Sequence, residues 1–405
     1  MGRAAAWAFA LAALAAAPVY AGDDGAPPPA TKPARHEFRP ASHGKGRLEV
    51  LPSGLAVLHL AGTPEEMGAQ HGTLLRDEIR ALVRDYLPKV LRGPREKALA
   101  KARALETQIP ERHRREMKAI AEAAGVAADD ILLGSVVVEL LGVHGCAGAA
   151  AFGPATADGR TIVGRNLEWP DHGFLGRLGL VVAAKPDGLR PWVSVGYPAL
   201  AGVVTGMNGD GVFVAELVVL GERAQDREAA LRGVPWPILL RRIAEECGSL
   251  ADAAALVKAS PLSVPQNLLL ADPAGGLVLE CAAGKCVERR PVDGLVAVTN
   301  FWDEPASPRK DDLRYSGICA DLAREGDRKV DAPSMEAAMR KASAHIQAAI
   351  LNLQCTVFEP ARLRARVAAG SPPACTRPML EVDAAALLGV VAPADRPPPP
   401  PAKPE

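Results

Sequence analysis

The sequence predicts an α+β protein, because strand-like and helix-like segments occur in blocks and do not alternate strictly. The first third of the 405-residue chain has apolar residues at helical spacing, whereas short apolar runs separated by Gly, Asp and Asn follow from position 146. Hydrophobic residues make up 48% of the chain. This length and composition allow a large core in one or two domains.

The first block predicts three helices. In GTPEEMGAQHGTLLRDEIRALVRDYL, Thr63 is an N-cap, a proline takes the first helical position, and Glu66 completes a capping box ahead of apolar residues at helical spacing. The stretch PERHRREMKAIAEAAG predicts a second amphipathic helix that ends at Gly125. A third and more apolar segment, ADDILLGSVVVELLGV, leads to Cys146.

The second block begins with a series of predicted strands: GAAAFGPAT, TIVGRNLEW, LGLVVAAKP, PWVSVGYP, GVVTGMN and GVFVAELVVL. Asp-Gly or Asn-Gly pairs at 158, 187 and 208 predict the turns between them. Helices are expected at about 235–258 and 310–350, with the strands NLLLADPAGGLVLECA and GLVAVTN between them. CTVFEPARLRARVA predicts a closing strand pair.

The ends of the chain predict export. Residues 1–21 have a single positive residue, Arg3, then an apolar stretch and small residues before a cleavage point after Ala21, as in a signal peptide. A membrane anchor is the alternative, although the apolar run is short of a full span. Proline-rich polar composition predicts a linker at 22–45 and a tail at 392–405. We therefore expect a secreted or periplasmic protein with no membrane span after signal removal.

Charge excludes one class of partner. Lys and Arg total 47 and Asp and Glu total 47, and no basic run interleaved with aromatic residues is present. A nucleic acid partner is not expected, because nothing would neutralise its phosphates.

An oxidising compartment permits disulfides among the cysteines other than Cys146. Six cysteines allow 15 connectivities, and the sequence does not choose among them. Short loops make two pairs the first to test, which leaves a third: Cys281 with Cys286, Cys355 with Cys375, and Cys247 with Cys319. Buried unpaired cysteines are the alternative. No spacing matches a zinc or redox motif, so no metal or organic cofactor is expected.

Cys146 is the candidate nucleophile, and a nucleophilic cysteine needs its thiolate. His144 is a poor base for it, because two residues apart on an extended chain the side chains do not form a dyad. An N-terminal cysteine uses its own α-amino group instead, with an ordinary pKa of about 7.7 to 8.0. Gly145 suits a cleavage point before Cys146, since it lets the backbone bend toward the thiol.

Five segments in order resemble a known family: GTPEEMGAQHG, GCAGAAAFGPATADGRTIVGRNLEW, GMNGDGVFVAE, NLLLADPAGG and VTNFW. They are similar to the autoproteolytic acyltransferases and hydrolases related to isopenicillin N acyltransferase, the C45 peptidase family. That family belongs to the N-terminal nucleophile (Ntn) hydrolases, with the choloylglycine hydrolases and penicillin V acylases. The resemblance implies a precursor that cuts itself before a cysteine. It also implies that the helical segment 46–145 (α-chain) and residues 146–391 (β-chain) stay together in a four-layer αββα sandwich.

The resemblance also implies roles for individual residues. Cys146 matches the nucleophile, and Arg165 and Glu168 in GRNLEW match an arginine and an acidic residue near the new amino terminus. A guanidinium favours thiolate, and a carboxylate can hold the α-amine. Asn300 in VTNFW matches an oxyanion-stabilising asparagine, and Asn208 in GMNGDG matches a second oxyanion or positioning residue. A looser match makes Arg314 in DDLRYSG a supporting arginine.

The implied function is an amidohydrolase or acyltransferase. Cys146 would attack a small-molecule acyl amide through a thioester, with water or an amine as acceptor. Two alternatives stay open: a secreted binding protein on the same fold that never cleaves, and a conventional cysteine peptidase that needs a histidine. The first is kept open by Ala147 and Gly148, which stand where relatives carry Thr or Ser.

Overall fold

The computed structural model describes residues 35–91, 93–141, 145–219, 233–282, 285–302, 312–323, 329–343 and 351–396. The predicted signal peptide, the predicted linker up to 34, His144 and the tail from 397 lie outside these residues. Within them, none of the helices combines the length and the apolar character that a membrane crossing requires.

Strands account for two sheets in the described part of the chain. Their bounds are β1 Ala41–His43, β2 Gly46–Val50, β3 Ala56–Gly62, β4 Gly145–Ala151, β5 Ile162–Trp169, β6 Leu180–Pro186, β7 Trp192–Gly196, β8 Thr205–Asn208, β9 Phe213–Val218, β10 Gln266–Asp272, β11 Gly275–Ala282, β12 Lys285–Arg289, β13 Leu295–Val298, β14 Leu351–Glu359, β15 Arg364–Ala369 and β16 Leu380–Asp383. Sheet A has the order β1-β2-β3-β6-β7-β8-β9-β10-β11-β12, and sheet B has the order β13-β4-β5-β14-β15-β16. Neighbouring strands pair antiparallel except β3 and β6, which pair parallel.

The helices of the described residues are α1 Pro64–Leu74, α2 Arg76–Ala81, α3 Leu87–Val90, α4 Arg95–Glu106, α5 Glu111–Ala124, α6 Ala128–Ser135, α7 Val137–Leu141, α8 Trp236–Glu246, α9 Leu250–Ala259, α10 Leu313–Leu322, α11 Ala332–Ser343 and α12 Ala384–Leu388. A π-helical turn, Leu82–Tyr86, joins α2 to α3. The predicted helix starts and stops are confirmed at two positions. Thr63 and Glu66 form the reciprocal capping box of α1, and Gly125 ends α5 in the left-handed conformation.

The two sheets face each other, and helices cover their outer faces. β4 packs on β9, β10 and β11 across the interface between the sheets. Helices α1, α8 and α9 pack on sheet A, while α10 and α11 pack on sheet B. The predicted α+β class and its four-layer αββα arrangement are therefore confirmed.

Alternation along β4 and β5 determines which way each site residue points. Cys146 and Ala150 on β4 belong to the core between the sheets, whereas Ala147, Ala149 and Ala151 belong to the core between sheet B and its helices. On β5, Val163, Leu167 and Trp169 face the inter-sheet core. Arg165 therefore shares a face with Cys146, and Glu168 points to the opposite, helical side of sheet B.

The predicted linker and helical pro-segment differ from the structure at their start. β1 begins at Ala41, inside the expected linker, and β1, β2 and β3 extend sheet A. β3 pairs antiparallel with β2 and parallel with β6, far along the chain, so its place in sheet A depends on a distant partner. At the other end the described fold continues to Arg396, which donates to Gly209 O at 2.6 Å, so ordered structure enters the predicted tail.

Candidate active site

Cys146 lies at the start of β4 and is fully buried. Antiparallel pairing with β5 places Gly145 opposite Glu168 and Cys146 opposite Leu167. In this uncut chain the thiol and the preceding peptide bond are thus held by a regular strand pair. Among the described residues no histidine is hydrogen-bonded to Cys146, which leaves the thiol without an imidazole base there.

Arg165 lies beside the thiol. Its Nη2 is 3.4 Å from Cys146 Sγ and donates to Glu216 O at 3.0 Å. Burial raises the pKa of the Cys146 thiol to about 12, while Arg165 opposes that rise and the carboxylates of Glu216 and Glu168 add to it. The Cys146 thiol is therefore neutral at ordinary pH, and its ionisation needs a base that none of the described residues supplies through a hydrogen bond to it.

Asn300 holds the other side of Cys146. The backbone N–H of Cys146 donates to Asn300 Oδ1 at 2.9 Å, and Asn300 Nδ2 donates to Val218 O at 2.8 Å. The same N–H nitrogen would become the α-amine after cleavage. The side-chain amide keeps one further N–H, since two hydrogens are available on Nδ2.

Asn267 fixes the segment that carries Asn300. Its Nδ2 donates to the carbonyl oxygens of Thr299 and Phe301 at 3.1 and 2.9 Å. These carbonyls belong to the residues on either side of Asn300, so the buried Asn267 fixes the backbone from which Asn300 projects.

Glu168 and Arg314 enclose the candidate cleavage point from the helical side of sheet B. A Cβ placed on Gly145 would lie 3.2 Å from the Glu168 Cβ and 3.5 Å from Arg314 Nη1. Arg314 Nη1 donates to Cys146 O at 3.1 Å, and its Nη2 pairs with Asp312 at 3.0 Å. The two charged groups therefore lie directly against the Gly145–Cys146 backbone.

The Glu168 carboxyl is fully buried. Burial raises its pKa, although Arg314, the hydrogen bond from Asn352 and Arg165 each act to lower it. Oε1 accepts from Asn352 Nδ2 at 3.0 Å, while Oε2 has no hydrogen-bond partner among the described residues. This oxygen can receive an amine proton or an amine hydrogen bond at the neighbouring backbone.

Asn208 does not join this cluster, and the prediction of a second oxyanion or positioning residue at the nucleophile needs correction. Its Nδ2 donates to Ala244 O and Cys247 O at 3.1 and 2.8 Å, at the end of α8. Its Oδ1 accepts from the backbone of Asp210 and Val212. Both hydrogens of the amide are used, so Asn208 shapes the hairpin turn and the helix end.

An apolar cavity of about 740 Å³, counted with its open mouth, lies beside the site. It shares Leu167, the partner of Cys146 across the strands, and Glu216, the acceptor for Arg165. The π-helical turn and α7 line one side of it, and residues after Cys146 line the other. The lining residues include Leu82, Val83, Tyr86, Leu87, Val137, Val138, Trp169, Leu175, Tyr197, Leu200 and Val204.

Sequence reasoning missed several residues around Cys146, among them Glu216, Asn267, Asn352 and Gln354. Each is a polar residue buried within a largely apolar strand, which is the one signal the sequence carries for them. Periodicity alone does not show what such a residue faces, so their relation to Cys146 needed the tertiary structure.

The disulfides expected among the cysteines other than Cys146 are present in part. Cys281 and Cys286 face each other across β11 and β12 and form a disulfide. Cys355 and Cys375 are buried thiols and are not joined. In the part of the chain that the structure describes, no group of three or more His, Cys, Asp or Glu residues is placed to hold a metal ion.

Comparisons with known proteins leave the family open. No family model matches the chain. An uncharacterized protein of Archaeoglobus fulgidus is 29% identical over 282 residues, which cover 60% of this chain and 46% of that protein. A chloroplastic acetylglutamate kinase of Arabidopsis thaliana is 30% identical over 167 residues, 41% of this chain and 45% of the kinase. The chain thus spans less than half the length of each of these curated relatives.

Solved structures with a similar arrangement include amide-hydrolysing enzymes. An N-acylethanolamine-hydrolyzing acid amidase ortholog of Caenorhabditis elegans matches with a TM-score of 0.46 and 17% identity over 53% of this chain and 93% of that chain. A mutant of the conjugated bile acid hydrolase from Clostridium perfringens has a TM-score of 0.42 and 10% identity, covering 61% and 95%. At these scores the activity has to be argued from the site's own geometry.

Proposed function

We propose that this protein is an exported, self-cleaving amidase of the Ntn type. Cleavage falls between Gly145 and Cys146, and Cys146 then attacks an amide whose acyl group is apolar. The observation that carries the proposal is the surroundings of Cys146: Arg165 is 3.4 Å from the thiol, and Asn300 binds the backbone nitrogen that would become an amine. Among the described residues no side-chain base is hydrogen-bonded to the Cys146 thiol, and cleavage would supply one in the new α-amine.

Cleavage proceeds by an N-to-S acyl shift. The Cys146 sulfur bonds to the carbonyl carbon of Gly145, the C–N bond breaks, and the thiol proton ends on the nitrogen, which becomes the α-amine. Water then hydrolyses the thioester, so that Gly145 becomes a carboxylate and the thiol is regenerated. Arg314 and Glu168 both lie against this bond and orient it, and the Glu168 carboxylate accepts and returns the proton.

Turnover repeats the same chemistry on a substrate. The freed α-amine takes the thiol proton, the sulfur attacks the amide carbonyl, and the amine leaves with a proton. Water then resolves the thioester and releases the acid. The remaining N–H of the Asn300 side-chain amide stabilises the oxyanion as it forms. Water is preferred over an amine as acceptor in an exported protein, because it is never scarce.

The apolar cavity supports an apolar acyl group as the recognised part of the substrate. Its walls are aliphatic and aromatic, which suits an apolar chain and not a charged one. Residues from both sides of Gly145 line it. Productive binding therefore needs the two chains to stay together after cleavage.

A direct test is the intact mass and N-terminal sequence of purified protein. The wild type should yield a new amino terminus at Cys146, and Cys146→Ala should remain one chain. Cys146→Ser is the matched variant, since it keeps a weaker nucleophile and should cleave slowly. Uncut wild-type protein under folding conditions would contradict the self-cleaving amidase and favour the binding-protein alternative.

A panel of N-acyl amides with graded acyl length tests the activity itself. We expect hydrolysis of apolar acyl amides by the cleaved protein and none by Cys146→Ala. If the uncut chain hydrolyses these amides and the activity requires a histidine, the protein is a conventional cysteine peptidase instead.

A further inference from the structure

Two carboxamides on β14, Asn352 and Gln354, contact the two charged side chains of the site. Asn352 Nδ2 donates to Glu168 Oε1 at 3.0 Å, and Arg165 Nη1 donates to Gln354 Oε1 at 3.5 Å. All four side chains are buried. We propose that Asn352 and Gln354 are positioning residues that hold Glu168 and Arg165 against Cys146. What Glu168 and Arg165 do there rests on the proposed function.

A bulge in β14 explains how one strand reaches both groups. Asn352 pairs with Glu168 and Gln354 pairs with Leu167, so Leu353 is an extra residue in the register. In a regular strand, residues two apart share a face. The bulge instead places Asn352 on the helical side of sheet B with Glu168, and Gln354 on the inter-sheet side with Arg165.

This division matches the one on β5. Arg165 and Glu168 are an odd number of positions apart, so they point to opposite faces of the strand. Without the bulge, both amides of β14 would lie on the same face, so they could contact either Arg165 or Glu168 but not both. The bulge therefore has a geometric purpose at the site, as bulges near active sites often have.

Both amides are themselves fixed by other groups. Asn352 Oδ1 accepts from Cys375 N at 2.8 Å, and its Nδ2 also donates to Gln354 O at 3.0 Å. Gln354 Nε2 donates to Val195 O at 3.2 Å, and its Oε1 accepts from Thr205 Oγ1 at 3.4 Å. Gln354 thus connects Arg165 to sheet A, and neither amide can turn away without losing hydrogen bonds.

The pKa of the Glu168 carboxyl can be used to test the role of Asn352. The positive charges of Arg314 and Arg165 lower the pKa of this carboxyl, the negative charge of Asp312 raises it, and Asn352 adds a hydrogen bond to the ionised form. Asn352→Asp keeps an oxygen for Cys375 N–H but replaces the donor with a second carboxylate. The pKa of Glu168 should then rise by about 1 unit or more.

The experiment titrates Glu168 by carboxyl carbon NMR in a Cys146→Ala background, with Glu168→Gln assigning the signal. Asn352→Asp should raise the titration midpoint, and Asn352→Ser serves as the second variant if the first does not fold. Gln70→Met is the matched control, because Gln70 is a buried carboxamide bonded to Ala61 on the opposite sheet. An unchanged midpoint in Asn352→Asp or Asn352→Ser overturns the assignment of Asn352.

Kinetics test Gln354 in the cleaved enzyme. Gln354→Met should lower kcat about tenfold at nearly constant KM, because Arg165 loses its orientation and not its charge, whereas Gln70→Met should not. Equal kcat in the two variants overturns the assignment of Gln354. The titration needs no cleavage, so a wild type that never cuts contradicts the proposed function and leaves the result on Asn352 to be judged separately.

Discussion

The backbone nitrogen of Cys146 is bound to the side-chain oxygen of Asn300 at 2.9 Å, across 154 positions of sequence. This bond fixes the nitrogen that our mechanism converts from an amide to a base. In the proposed mechanism the side-chain oxygen of Asn300 orients this nitrogen, and the side-chain nitrogen of Asn300 is the group available to an oxyanion.

Two variants of Asn300 separate these tasks. Asn300→Ala should fold yet lose turnover by about a hundredfold or more, since both groups are removed. Asn300→Asp keeps an oxygen for the Cys146 nitrogen and loses the donor, so cleavage should persist better than turnover. Steady-state kinetics and intact mass provide the two readouts. Unchanged turnover in Asn300→Ala would remove the oxyanion assignment.

Gly145→Ala tests the close packing at the candidate cleavage point. The added methyl would lie 3.2 Å from the Glu168 Cβ, tighter than ordinary contact, so we expect cleavage to slow about tenfold or more. The control is Gly317→Ala on α10, where nothing lies within 4 Å of an added Cβ. Time courses of the intact mass measure both. Equal rates would show that Gly145 is not required for the cut.

Val137→Phe tests the cavity as the acyl site. Val137 lines the cavity, whereas Leu140 on the same helix does not, so Leu140→Phe is the control. We expect KM for long acyl chains to rise about tenfold in Val137→Phe, with short chains little affected, because added volume excludes the distal carbons. The acyl-length panel measures this shift. A uniform loss across all lengths would argue against the cavity as the acyl site.

Arg241 joins the segments before and after the candidate cleavage point. Its guanidinium pairs with Glu116 on α5 at 2.5 Å and with Glu245 on its own helix at 2.7 Å, and all three are buried. Arg241→Met should lower the free energy of unfolding by about 3 to 5 kcal/mol, because the carboxylates lose their partner. Denaturant melts measure this. Arg242→Met, which breaks a more exposed pair with Glu246, should cost at most about 1 kcal/mol.

Glu139 makes stability depend on pH. Burial raises its pKa from 4.5 to about 8, so between these values the folded chain keeps a proton that the unfolded chain releases. The contribution of Glu139 to the free energy of unfolding therefore falls as pH rises from about 4.5 to about 8. Glu139→Gln should raise Tm at pH 8 more than at pH 5, and the exposed Glu122→Gln should not. Equal gains at both pH values would contradict the shift.

Local sequence was enough for several elements of this protein. The capping box of Thr63 and Glu66, the stop at Gly125 and the Asp-Gly turns depend on neighbouring residues, and the structure has them as predicted. The motif around Cys146 also led to Arg165, because one hairpin brings β5 back to β4. Block-wise organisation was enough to predict an α+β sandwich.

Other features depend on partners that are distant in sequence. Asn208 matched a motif, yet its amide is bonded to the end of α8, which the motif does not contain. β3 pairs with β6, and Asn352 reaches Glu168 through a bulge in β14. Hydrophobic periodicity reports which face of an element is buried, whereas register and long-range hydrogen bonds determine which buried polar groups meet. The candidate nucleophile Cys146 could therefore be predicted from the sequence, whereas the residues that surround it could be identified only from the packing of the two sheets.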